Sequence, residues 1–243
     1  LVESLTNLLI NQYEATNPYN AIPINNVGDD EKLTQLIPNF PTLSGEVKRA
    51  LRTGQFFYAQ VQAHNNSSSI DLSPVIDMQY KALEILLRES FENTVNQIIH
   101  DGILQRKLDV IGYARPIPEK MMAFENYVAS QPIINEIPFF SKFKLRKMLR
   151  GLCQFKPGKR YTLDGMKAFG LFFLCFSRKK CNYGLANLFP VPFPSDDQLA
   201  HFCKKLHIFQ DFRNRAVHEG LPPGAANNIH QTWQETVEII SQI

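Results

Sequence analysis

The sequence predicts an all-α protein, an antiparallel helical bundle with a less regular helical N-terminal segment. Three observations predict it. Apolar residues recur at helical spacing, above all Ile76, Tyr80, Leu83, Leu87, Phe91, Val95 and Ile98, which share one stripe. No β-hairpin signal and no internal repeat interrupts that pattern. The apolar share, 44% of 243 residues with 18 Phe and 8 Tyr, is enough for a packed core and excludes disorder. No apolar run reaches the roughly 18 residues of a membrane span. The longest candidate, Ala168 to Phe176, is far shorter and sits inside a basic region.

The length suits one large domain or two small ones. Residues 1–66 read as a helical or irregular segment, the end of an upstream region, because the Asn/Pro-rich stretch 17–30 lacks periodicity. Within it, Asn39 to Ser44 leads into a modest amphipathic helix carrying Val47, Ala50, Leu51, Tyr58 and Val61, with Gly54 a weak point. Asn65 to Ser69 is a polar break.

Residues 71–243 read as the main helical domain. Ser73 is placed as N-cap and Pro74 as first helical residue of the long striped helix, which stops at Asp101-Gly102. Residues 103–118, with Pro116 and Pro118, read as irregular. Glu119 to Ser130 is a short helix, Pro132 to Pro138 an extended connector, and Ser141 to Gly151 a basic helix. A turn on Pro157-Gly158 follows. Thr162 caps a buried helix through Phe176 with Met166, Phe169 and Phe173 inward, and a long loop runs from Ser177 to Pro194. Ser195-Asp196-Asp197-Gln198 fits a capping box opening a helix with Leu199, Phe202, Leu206 and Phe209 inward. After a break at Gly220–Gly224, a last helix uses Ile229, Trp233, Val237 and Ile240.

The net charge of +3 conceals an asymmetry. From Phe140 to Lys180 twelve Lys and Arg meet a single acid, Asp164, a local charge of +11; the remainder carries −8. That polarity is the footprint of a protein that meets phosphate, with a solvated face or an acidic protein partner as the plainer alternative. Candidate RNA-binding residues are Lys142, Lys144, Arg146, Lys147, Arg150, Lys179 and Lys180.

Four cysteines, Cys153, Cys175, Cys181 and Cys203, are too widely spaced for a paired zinc motif and too few for a disulfide scaffold. Cys175 and Cys203 read as buried free thiols, and a cytoplasmic location without membrane contact is expected. The chain begins Leu-Val-Glu rather than Met, so it reads as a fragment with a further domain upstream. Phosphate-loop, dinucleotide, zincin and serine-hydrolase motifs are absent from the sequence. His64, His100, His201, His207 and His230 are scattered without ligand spacing, so no metal and no cofactor is expected.

One cluster stands apart: Asp211-Phe212-Arg213-Asn214-Arg215-Ala216-Val217-His218-Glu219-Gly220. A guanidinium binds phosphate with planar, bidentate geometry, and an imidazole exchanges a proton near neutral pH. The plain alternative is a helix C-terminus stabilised by cations.

Arg213-Asn214-x-x-x-His218 resembles the R-x(4–6)-H motif of the HEPN domains. Ser73-Pro74-Val75 followed by Tyr80-Lys81-Ala82-Leu83-Glu84 resembles their first core helix, so the resemblance spans roughly residues 71–243. It implies a HEPN-like helical bundle, a homodimer, and metal-independent endoribonuclease chemistry at Arg213, Asn214 and His218. Glu84 is a possible orienting acid; its alternative is an i,i+4 pair with Arg88 on a solvated face. Arg215 adds a second cation inside the motif. Two functions follow as expectations: a hydrolase-class nuclease acting on RNA as a dimer, or a non-catalytic helical module for dimerisation or RNA or nucleotide binding in a larger protein.

Overall fold

A computed structural model describes residues 27–63 and 73–243, apart from 132–133, 135–136, 138–139, 154–162, 164, 181–182, 190, 192 and 220–225. The break at Asn65–Ser69, most of the Pro132–Pro138 connector, the Pro157-Gly158 turn, the Thr162 cap and the Gly220–Gly224 break lie outside the described residues.

All regular structure among the described residues is helical. In chain order the helices are α1 (Val27–Leu36), α2 (Gly45–Ala63), α3 (Ser73–His100), α4 (Ile103–Val110), α5 (Pro118–Ala129), α6 (Lys142–Cys153), α7 (Gly165–Phe176), α8 (Asp196–Glu219) and α9 (Ala226–Gln242). A short 3₁₀ turn, Phe40–Thr42, joins α1 to α2.

The long apolar stripe makes α3 the axis of packing. Ile76, Tyr80, Leu83, Leu87, Phe91 and Val95 are buried, and α2, α4, α7, α8 and α9 all lie against this helix. α7 is apolar on every side except Lys167, so it belongs in the interior, where Phe173 meets Phe91 edge-on with centroids 5.0 Å apart. α8 runs antiparallel to α7: Gly165 faces Gln210, Gly170 faces His207, and Phe173 meets Phe202. A Cβ on Gly170 would stand 2.9 Å from the His207 ring and 3.2 Å from the Cys203 carbonyl oxygen, so the absence of a side chain permits this approach. The opening of α8 follows the capping-box expectation on one arm, with Ser195 Oγ accepting the Gln198 N–H at 3.2 Å.

α8 also runs antiparallel to α3. The Ser73 hydroxyl, read from sequence as an N-cap, donates to the Ala216 carbonyl at 2.8 Å and pins the start of α3 to the end of α8. α1 and α2 join the same core: Leu33, Ile37, Phe40, Val47 and Leu51 pack in one cluster with Phe173 and Trp233. Tyr58 stacks on Trp233, and the Asn39 amide donates to the Ile240 carbonyl at 3.3 Å. Residues 33–58, assigned from sequence to a separate segment, thus contribute side chains to the core of the C-terminal helices.

Two stretches read as irregular are helical in part. α1 begins inside the aperiodic 17–30 stretch, because Leu33 and Ile37, one turn apart, bury the end of it. α4 occupies half of 103–118: Leu104 and Leu108 bury one face, and the prolines fall after its end. Pro118 opens α5, where a missing N–H costs nothing. Gly102, at φ 66°, makes the sharp junction between α3 and α4.

Candidate nucleic-acid interface

The Arg213 guanidinium is held from two sides. Its Nε donates to Asp77 Oδ1 at 2.9 Å, and Nη2 lies 2.8 Å from the same oxygen. The guanidinium carbon stands 5.0 Å from the centroid of the Tyr80 ring, a cation–π contact. Asp77 and Tyr80 sit three residues apart on α3, so one helix face supplies both the charge and the ring. Nη1 reaches Asn214 Oδ1 at 3.4 Å.

His218 is exposed in the last turn of α8, and Arg215, just before that turn, is exposed too. At 100° per residue, Asn214 and His218 lie one turn apart on one face, whereas Arg213 points roughly 140° away from His218. Within one chain the motif therefore presents its Arg and its His to different sides of α8. Glu84 lies two turns beyond Asp77 and pairs with Arg88 at 3.0 Å. The carboxylate that meets Arg213 is Asp77, a residue the sequence did not single out: it stands three positions before Tyr80, as Glu84 stands four after it.

The basic residues divide. α6 and α7 enclose an open groove of about 560 Å³ lined by Phe143, Lys144, Lys147, Arg150, Lys167 and Gln210, among others. Phe143, Lys144, Lys147 and Arg150 are exposed, while Lys167 is buried and pairs with Asp211. Partial desolvation of its amine at the groove wall and the neighbouring Lys167 ammonium hold Lys144 below the ordinary lysine range. Gln210 Oε1 accepts the Lys167 backbone N–H at 2.6 Å, and its side chain also faces Gly165. The Tyr80 hydroxyl faces that glycine too. Gln210, at the groove, and Tyr80, under Arg213, thus flank the same glycine.

Other expected RNA ligands have protein partners or lie elsewhere. Arg146 lines the groove, but it grips the buried Glu125 with two bonds of 2.8 and 2.6 Å. Glu125 also accepts the Tyr113 hydroxyl at 2.5 Å, and these donors hold its carboxyl below the usual range despite burial. Lys142 donates to Asn126 at 2.6 Å. Lys179 and Lys180 follow the far end of α7, whose last residue, Phe176, lies roughly 14 Å along the helix from Lys167, and their backbone N–H groups bind Asp196.

Cys153, Cys203 and His207 offer no activated nucleophile. Burial pushes the Cys153 thiol up to about 11, and Cys203, completely enclosed, is raised by burial and by Cys175. His207 is buried with Nδ1 2.9 Å from the Cys203 carbonyl, and burial lowers its pKa to about 4. Among the described residues no group of three His, Cys, Asp or Glu side chains is arranged to hold a metal ion. No helix of the described residues is long and apolar enough to cross a membrane.

No family model, no curated protein and no solved structure matches this chain. The HEPN resemblance rests on Arg213, Asn214 and His218 and on the Ser73–Val75 and Tyr80–Glu84 segments.

Proposed function

We propose that this chain binds RNA along the α6–α7 groove and cleaves it without a metal ion, as a homodimer. The observation that carries this reading is the adjacency of the groove to the Arg213 centre. Gln210 lines the groove, and Arg213 follows it within one turn of α8. A strand whose phosphates lie against Lys144 and Arg150 would continue toward Arg213 and the exposed end of α8.

The chemistry assigned to these side chains is internal transfer at phosphorus. The RNA 2′-hydroxyl attacks the adjacent phosphate, forming the O2′–P bond as the P–O5′ bond breaks. One His218 imidazole takes the 2′-hydroxyl proton; a second, from the other copy, gives a proton to the departing 5′-oxygen. Arg213, oriented by Asp77, donates to the phosphorane oxygens as their charge grows, and Asn214 steadies the guanidinium. Two copies are needed because one α8 turns Arg213 and His218 to different sides. The exposed Val217, beside His218, gives this end of the helix an apolar contact for a partner.

A second reading, RNA binding without cleavage, is favoured by the same Asp77 contact, which occupies part of the Arg213 donor set. Incubating the chain with mixed RNA in EDTA separates the two. Cleavage that disappears in an Arg213→Ala/His218→Ala double variant supports the nuclease; RNA bound and left intact supports the binder.

A further inference from the structure

We propose that the α6–α7 groove selects single-stranded RNA by stacking one unpaired base on Phe143, with the flanking phosphates on Lys144 and Arg150. This rests on the RNA-binding reading above and names the form of RNA it takes. The first observation is Phe143 itself. On α6 the residues Leu145, Met148, Leu149 and Leu152 are buried, as an amphipathic helix requires, yet Phe143 remains 73% exposed at the mouth of the groove. An aromatic ring left in water inside a basic cleft is what a base needs for stacking.

The second observation is the charge around that ring. Among the described lining residues there is no carboxylate, and two described acids beside the lining are engaged, Asp211 by Lys167 and Glu125 by Arg146 and Tyr113. Lys144, Lys147 and Arg150 supply the exposed charge of the groove, since Lys167 is buried against Asp211. Phe143, Lys147 and Arg150 recur at positions i, i+4 and i+7, so ring and cations follow one line along α6.

The third observation is size. A groove of about 560 Å³ falls in the range of sites for a single small ligand. It suits one nucleotide unit with its phosphates, either free or within a strand. A duplex keeps its bases stacked and paired, with no face to offer Phe143.

Fluorescence anisotropy on the full chain tests this, using a labelled 2′-O-methyl dodecamer that resists attack by its own 2′-oxygen. The single strand is expected to bind at least about tenfold more tightly than the same strand in a duplex. Phe143→Ala should weaken the single strand about tenfold with its salt slope unchanged, and Phe143→Trp should restore binding. Lys144→Gln/Arg150→Gln should instead flatten the salt slope by about 1.4. Adenosine monophosphate as competitor identifies the source: displacement shows that a free nucleotide fills the seat, and competition by strands only shows that flanking phosphates are required. Because Phe143 is exposed, its variants should retain the wild-type circular dichroism and melting temperature. Equal binding of single strand and duplex, unaffected by Phe143→Ala, would overturn the stacking seat and leave the RNA-binding reading standing. Failure of the wild-type chain to bind any RNA would overturn both, and capture of poly-glutamate in its place would mark the groove as a site for acidic protein.

Discussion

Asp77 on α3 meets Arg213 on α8 through one carboxylate oxygen, which accepts Nε at 2.9 Å while the guanidinium rests on the Tyr80 ring. The first arginine of the motif is therefore not a free surface charge. Its plane is fixed by two side chains of the helix that also forms the axis of the fold. Asp77→Asn keeps the shape and removes the charge. It should cost about 1 kcal/mol of stability, since both partners are about one-third exposed. Cleavage should fall about tenfold or more with RNA affinity nearly unchanged, as expected when orientation is lost. Urea melts and parallel cleavage and binding assays check this.

The two basic patches should separate by mutation. Lys144→Glu lies in the groove, whereas Lys179→Glu/Lys180→Glu lies beyond the far end of α7. The first should weaken RNA binding and flatten its dependence on salt, because fewer counterions are released. The double reversal should leave both quantities within about threefold of wild type. Titrations at several salt concentrations distinguish them.

Stability should fall in mild acid because of His207. Its imidazole takes a proton near 6.5 when the chain is unfolded, but only near 4 in the folded protein, where burial opposes the charge. Between these values the unfolded state holds more protons, so stability decreases as the pH drops from about 6.5 to 4 and this contribution then levels off. The full effect is on the order of 3 kcal/mol. His207→Gln should remove most of this slope in urea melts at pH 7, 5.5 and 4.

Gln79 is fully buried on α3 beside Gly54 and Trp233, and neither polar atom of its amide has a hydrogen-bond partner among the described residues. An unsatisfied buried amide costs about 1–3 kcal/mol. Gln79→Leu, close in volume, should raise the melting temperature by several degrees. Calorimetry of the pair checks it, and a lower melting temperature would mean that the amide is satisfied in solution.

Much of this architecture was legible in the sequence because it rests on local pattern. The Ile76–Val95 stripe, the Phe-rich α7 and the capping box at Ser195 each act within a few turns of helix, and each packs as that local chemistry dictates. What stayed hidden was set by contacts distant in sequence. α1 and α4 are short helices, buried through one or two residues apiece, so their periodicity is too brief to read. The split of the +11 segment depends on Glu125 and Asp211, which lie outside the stretch and pair with Arg146 and Lys167. The Asp77–Arg213 pair joins residues 136 positions apart, and spacing along α3 alone gave no reason to prefer Asp77 over Glu84.

The end groups of cleaved RNA test the central claim most directly. The wild-type chain is incubated in EDTA with an oligoribonucleotide and, separately, its DNA counterpart, beside a His218→Ala variant shown to melt at the wild-type temperature. Attack by the 2′-hydroxyl predicts 5′ fragments ending in a 2′,3′-cyclic phosphate, intact DNA, and no cleavage by His218→Ala although it still binds RNA. Fragments lacking the cyclic phosphate, a requirement for Mg²⁺, or undiminished cleavage by His218→Ala would contradict the account.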